Sequence, residues 1–155
     1  MRAVRIGLIS DTHDLLRAEA ARALAGSEHI VHAGDICGRA VLDALATIAP
    51  VSAVRGNNDR GAWADHLPAT KIVRIEAVSI LVVHDLATLD VVPVELGVRV
   101  VVAGHSHRPA IEERNGVLYV NPGSAGPRRF RLPVSIARLE VRGERVEARL
   151  CELAV

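Results

Sequence analysis

Five short apolar runs in this chain each stop at a side chain able to hold a metal ion. RIGLIS runs into Asp11-Thr12-His13, HIVHAG into Asp35, VSAVRG into Asn57-Asn58-Asp59, SILVV into His84, and VRVVVAG into His105-Ser106-His107. Runs of this length, rich in valine and isoleucine, are strands buried on both faces. Strands that repeatedly end in the same class of side chain deliver those side chains to one rim, because ligands of an open parallel sheet collect outside the carboxyl ends of its strands. Carboxylate, imidazole and amide together suit divalent ions such as manganese, iron or zinc.

Length and charge narrow the setting. The 155 residues are 50% hydrophobic, enough for one compact domain over residues 1–155 and too few for a second. A formal net charge of +1 gives no strong field toward nucleic acid or an acidic membrane surface. Trp63, Tyr119 and Phe130 are the only Trp, Tyr and Phe residues, which argues against a base-stacking platform for a polymer. No apolar stretch reaches membrane-spanning length, and the start of the chain has no signal-peptide character. Cys37 and Cys151 lie far apart without CxxC spacing, so reduced thiols and a cytoplasmic location are expected.

The first third alternates strand and helix, with strands expected over 3–10, 28–33 and 51–55 and helices over 15–25 and 39–48. Right-handed crossovers make those strands parallel and set both helices on one face. From residue 70 the pattern changes to strand pairs: 71–77 with 79–84, 110–114 with 117–121 through Asn115-Gly116, and 134–141 with 145–153 through Arg142-Gly143. That is more strand than one sheet needs. The expected fold is α/β, a four-layer α-β-β-α sandwich of two mixed sheets with helices outside. In the last hairpin Arg138, Glu140, Arg142, Arg145, Glu147 and Arg149 form the outer face, opposite Ile136, Leu139, Val141, Val146, Ala148 and Leu150.

Taken singly, the D-x-H at Asp11 and the Gly34-Asp35 pair are weak signals, and Gly104-His105-Ser106-His107 is moderately specific. Together and in order, D-x-H, G-D, G-N-x-D, a lone His and G-H-x-H resemble the calcineurin-like metallophosphoesterase superfamily across residues 6–124. The stretches His32-Ala33-Gly34-Asp35-Ile36, Val54-Arg55-Gly56-Asn57 and Asn121-Pro122-Gly123-Ser124 are similar to small single-domain phosphodiesterases that in turn resemble the retromer subunit of vacuolar sorting. The resemblance implies two divalent ions, manganese first, with nickel, iron or zinc as alternatives. It places Asp11, His13 and His107 on one ion, Asn57, His84 and His105 on the other, and Asp35 between them. It also implies attack on phosphorus by a hydroxide that bridges the ions, which lie about 3.5–4 Å apart in such sites.

Two positions depart from the family pattern. Asn58 stands where many members carry histidine. Its amide can donate a hydrogen bond to a phosphate oxygen but cannot act as a general acid near pH 7, so leaving groups that need little protonation are favoured. Asp85 follows His84 where glycine is common, and either orients an imidazole or faces water. Asp35 and Asn58 are the catalytic candidates, and Asn58 and Arg55 the substrate-binding ones. His32 reads as a hydrogen-bonded core histidine, Asp59 as the residue that fixes the asparagine loop, and the Arg128, Arg129, Arg131 run as a solvated loop.

The expected activity is hydrolysis of phosphodiesters, and of phosphomonoesters with good leaving groups. The alternative is a catalytically weak interaction scaffold that retains the metal site. A small phosphoester is the expected partner, with no membrane and no nucleic acid; the natural substrate and any homo-oligomer stay open.

Overall fold

A computed structural model describes residues 1–155. Strand β1 (Val4–Ile9) sends Ile6 and Leu8 to one face and Ile9 to the other, and apolar neighbours cover both. It runs parallel to β2 (His29–His32), which is parallel to β3 (Val51–Ala53). The connecting helices α1 (Ala18–Leu24) and α2 (Arg39–Ala46) pack Ala20, Leu24, Val41 and Leu45 on Ile9, Ile30 and Ala53.

The second sheet begins with the hairpin β4 (Thr70–Ile75) and β5 (Val78–Val83), to which β6 (Val100–Val102) pairs in parallel. The hairpin β7 (Ala110–Arg114) and β8 (Val117–Asn121) joins through β8, parallel to β6. The final hairpin, β9 (Ser135–Arg142) and β10 (Arg145–Glu152), returns to the first sheet and lies antiparallel along β1. The strand orders are β10-β9-β1-β2-β3 and β4-β5-β6-β8-β7. Ile6, Leu8, Val31, Leu139 and Val141 face Ile80, Val82, Val100, Val102 and Val120 in the core between the sheets.

The two mixed sheets are as expected, and the helical layers are unequal. Both α-helices lie on the first sheet. The outer face of the second, with Leu81, Val83, Val101 and Val117, lies by the β5–β6 crossover, whose only regular structure is two 3-10 turns at Leu86–Thr88 and Pro93–Leu96. Helix α1 also starts three residues later than its apolar spacing suggests. Residues 11–14 are taken up by a turn in which Asp11, His13 and Asp14 all have positive φ, and Leu15 N–H closes it on Thr12 O.

Ile136 corrects the expected facing of the last hairpin. It shares the strand face of Arg138 and Glu140, yet is fully buried, because the helix-side core reaches over that end of β9. The charged face begins only beyond it. Ile136→Ala is therefore expected to cost about 2–5 kcal/mol in urea unfolding, whereas Glu140→Ala on the same face stays within about 0.5 kcal/mol.

Candidate metal centre

Five of the seven expected ligands, Asp11, His13, Asp35, His105 and His107, have left-handed backbone with φ between 46° and 70°. Such conformations cost of order 1 kcal/mol each and persist only where the surroundings over-determine them. Here the loops lock one another. Asp11 N–H donates to Gly34 O, His13 N–H to Asp35 O and Asp14 N–H to Ile36 O, so the loops after β1 and β2 run side by side. Gly104 N–H donates to His84 O, which ties the loops after β5 and β6 together.

The side chains converge as the five-run pattern requires. Asp11 Oδ1 lies 3.3 Å from His107 Nε2, 3.8 Å from His13 Nε2 and 3.9 Å from His84 Nε2. Asp35 Oδ2 lies 3.4 Å from His84 Nε2 and 3.8 Å from His13 Nε2. Asn57 Oδ1 is 3.0 Å from His84 Nε2. Two triads of donor atoms result, Asp11 with His13 and His107, and Asp11 with Asp35 and His84. His105 is at the margin: its ring meets that of His84 edge-on at 5.2 Å, about half of it is exposed, and its Nε2 is 3.7 Å from Asp85 Oδ2. Asp85 also caps the following 3-10 turn by accepting from Ala87 N–H.

Asp11 Oδ1 and His107 Nδ1 are the chain's only buried side-chain nitrogen or oxygen atoms without a hydrogen-bond partner. An orphaned carboxylate oxygen ringed by three imidazole nitrogens is costly in a dry interior. The same arrangement is what a divalent cation requires of its ligands, so the residues present fit a metal.

Proton affinities follow from the same geometry. Burial pushes the Asp11 carboxyl up, but His107, Ser10 and His84 outweigh it and hold the group below its ordinary range. Asp35 is likewise held low against burial, by His84 and by two N–H donors of Asn58. His13 is shifted down, by burial first and then by the charge of Arg129, which keeps its nitrogen free to ligate. His84 moves the other way: burial lowers its affinity, but Asp35, Asp11 and the Ala33 carbonyl raise it further. Its Nδ1–H donates to Ala33 O at 2.8 Å, while Nε2 faces Asn57 and Asp35.

Several residues hold these groups from behind. Asp59 accepts from Asp35 N–H at 2.9 Å, Cys37 N–H at 2.8 Å and Gly56 N–H at 2.8 Å, so one buried carboxylate joins two ligand loops, wider than its expected role. His32 is fully buried; its Nδ1 accepts from Gly34 N–H and its Nε2–H therefore donates to Thr12 Oγ1. Gly56 and Gly104 permit close approach: a Cβ would lie 2.2 Å from Asp35 Oδ1 at the first and 2.0 Å from Ser10 Oγ at the second. Ser10 and Thr12 carried no signal of their own in the sequence, and Asn121 entered only as part of the Asn121-Pro122-Gly123-Ser124 stretch. Ser10 Oγ donates to Asp11 Oδ2, and Asn121 Nδ2 donates to Gly104 O.

Asn58 is placed differently from its expected use. Its Nδ2–H donates to Asp35 Oδ2 and its backbone N–H to Asp35 Oδ1, both at 2.9 Å, so its amide steadies a ligand. Arg55 is exposed, with no side-chain partner. Cys37 comes within 3.7 Å of His13 Nδ1, where burial and the surrounding carboxylates push its thiol up to about 11. Trp63 packs into the helix-side core. A surface groove of 660 Å³ lies elsewhere, between Arg5, Gly26, Arg138, Glu140, Glu147 and Arg149, and contains none of the candidate ligands.

Fold and ligand set together define a class. The calcineurin-like phosphoesterase superfamily domain matches residues 4–144, and the chain belongs to that superfamily. A probable metallophosphoesterase of Methanothermobacter thermautotrophicus is 34% identical over 94% of this chain and 90% of its own length. One from Methanocaldococcus jannaschii is 36% identical over 94% and 79%. In structure, the chain is similar to Chaetomium thermophilum Vps29 (TM-score 0.78, 22% identity, 97% and 100% covered). It is also similar to zinc-complexed Vps29 of Entamoeba histolytica (0.75, 23%, 96% and 99%) and to an archaeal phosphodiesterase (0.73, 23%, 96% and 100%). No helix is long and apolar enough to cross a membrane.

Two outcomes test the supporting groups. Asp59→Ala strands three backbone N–H groups and is expected to lower metal-free stability by about 3–5 kcal/mol in urea unfolding. His32 stays neutral to about pH 3 when folded but protonates near 6.5 when unfolded, so the unfolded chain binds the extra proton below 6.5. Its contribution to stability is complete above about pH 6.5 and declines toward pH 3. The stability of His32→Gln should therefore depend less on pH than that of the wild type between 6.5 and about 4.

Proposed function

We propose that the chain is a dinuclear phosphodiesterase. The observation that carries this reading is the partnerless Asp11 Oδ1, buried among three imidazole nitrogens at 3.3–3.9 Å. Asp11, His13 and His107 would hold one ion and Asn57, His84 and His105 the second. Asp35 lies between the sets, within 3.8 Å of both His13 and His84, as a shared ligand must. Two divalent ions, manganese first, supply a nucleophile from water at neutral pH and neutralise charge on the phosphate oxygens.

The chain's own groups define the substrate by what they lack. Asn58 gives its backbone N–H and one of its two amide N–H groups to Asp35, so it orients that carboxylate, and as a neutral amide it brings no proton to the leaving group. Phosphodiesters with stable leaving groups are the matching class, with activated monoesters after them. Arg55, next to Gly56 and without a partner, is free to contact a phosphate oxygen. Cys37 and Cys151 are free thiols, which supports a reducing, cytoplasmic setting.

A second reading is a catalytically weak interaction scaffold. It is favoured by the exposed apolar row Leu86, Val91, Val92, Val94 and Leu96 along the β5–β6 crossover. The ligand set separates the two readings, because a surface for a protein partner has no need of an orphaned carboxylate.

Protein purified without chelator is expected to hold two ions per chain and to hydrolyse an aryl phosphodiester. Well under one ion, with added manganese failing to bind, sinks the enzyme reading. Asp35→Ala should lose both ions and reduce turnover by at least about a thousandfold, and retained turnover would exclude its shared role. Metal must displace the proton of His84, whose affinity is raised; loading should therefore weaken as pH falls through that raised value and be complete above it.

A further inference from the structure

The loop from Gly126 to Leu132 is built on the metal centre. Ser124 Oγ donates to Asp11 O at 2.9 Å and Ala125 N–H to Ser10 O at 3.1 Å. Gly126 then presses so closely on the first ligand loop that a Cβ would lie 2.1 Å from Thr12 O. Arg17 Nε–H fixes the other side by donating to Gly126 O at 3.1 Å. Past this anchor Leu132 N–H closes a turn on Arg129 O, with Phe130 at φ 55°.

The turn presents Arg128, Arg129, Phe130 and Arg131 to solvent. None of the three guanidinium groups meets a carboxylate or makes a hydrogen bond, whereas Arg2, Arg39, Arg99 and Arg114 each pair with a carboxylate. Phe130 is 90% exposed, and both its faces are open. Unpaired cations beside a centre that handles phosphate, next to an open aromatic ring, suit a ligand with a second anion and a planar group.

We propose that this tip recognises phosphodiesters of the nucleotide class: Arg129 pairs with a second phosphate of the substrate, and Phe130 stacks on its base. The inference rests on the phosphodiesterase reading and names its substrate class. One ring and a net charge of +1 fit a ligand of mononucleotide size, since a polymer track needs successive rings and a wider basic surface.

The test uses manganese-loaded protein and three esters that release p-nitrophenol: bis(p-nitrophenyl) phosphate, thymidine 5′-(p-nitrophenyl phosphate), and the latter bearing a 3′-phosphate. The 3′-phosphate is expected to lower KM about tenfold in the wild type. Arg129→Ala should erase most of that advantage and Arg129→Glu reverse it. Phe130→Ala should raise KM for the thymidine esters about fivefold relative to bis(p-nitrophenyl) phosphate. Arg145→Ala, an exposed change on β10, should keep the wild-type ratios. Ratios that are the same in wild type and Arg129→Ala overturn the proposal. The dissociation constant of thymidine 3′,5′-bisphosphate gives a readout without turnover: about tenfold weakening in Arg129→Ala supports it, and no change overturns it. If none of the esters is hydrolysed, the phosphodiesterase reading falls, and the dissociation constant still decides the role of the tip.

Discussion

Two carboxylates buried at the rim of two packed sheets, Asp11 and Asp35, set the terms for everything around them. Both approach the same nitrogen, His84 Nε2, at 3.9 and 3.4 Å. Like charges in a dry interior repel strongly, and no hydrophobic burial compensates for that. The protein answers with donors and with cationic charge. Backbone N–H groups of His105 and Asn58, the Ser10 hydroxyl and the Asn58 amide take up one or both oxygens of each carboxylate. What remains, Asp11 Oδ1, is left to the imidazoles and to any cation they hold.

This demand explains why the rim is conformationally expensive and still held together by hydrogen bonds between its loops. A strand that simply ended in a relaxed turn would point its aspartate along the strand axis; left-handed residues bend Asp11, Asp35 and the two histidines of the last motif toward a common point. The cost is spread over hydrogen bonds between loops, so no loop can relax alone. Asp59 is the clearest instance. Its carboxylate accepts from three backbone N–H groups on two loops, which turns separate chain segments into one rigid floor under Asp35.

Much of this was legible in the sequence, because the apolar runs dictate where strands end and the motif order dictates what stands there. The Asn115-Gly116 hairpin, both mixed sheets and the close approach of six of the seven candidate ligand side chains follow from those two regularities, with His105 at the margin. Other features were not legible, for physical reasons that can be named. Helix α1 starts late because the ligand turn takes up its first residues, which no helical spacing reveals. Ile136 faces the helix side because the helical layer ends just beyond it, a matter of how far one layer extends over another. The crossover after β5, where the expected sandwich calls for a second helical layer, folds instead as 3-10 turns around Asp85 and Pro93.

The asparagine loop shows where spacing stops being informative. Gly56, Asn57, Asn58 and Asp59 are four consecutive residues with four separate tasks: close approach, a ligand oxygen, two donors to Asp35, and a triple acceptor. A short amide can turn either to solvent or to its neighbour, and the sequence does not distinguish these. The geometry favours the neighbour, since Asn58 backbone N–H and Nδ2–H each meet one oxygen of Asp35 at 2.9 Å. An imidazole at that position could carry a proton to the leaving group. An amide cannot, but it holds the Asp35 carboxylate in place without adding charge to a rim already lined by acids and imidazoles. The amide at position 58 thus cannot serve as a general acid and instead fixes the Asp35 carboxylate, and on the phosphodiesterase reading proposed above the matching esters are those whose leaving groups depart unaided.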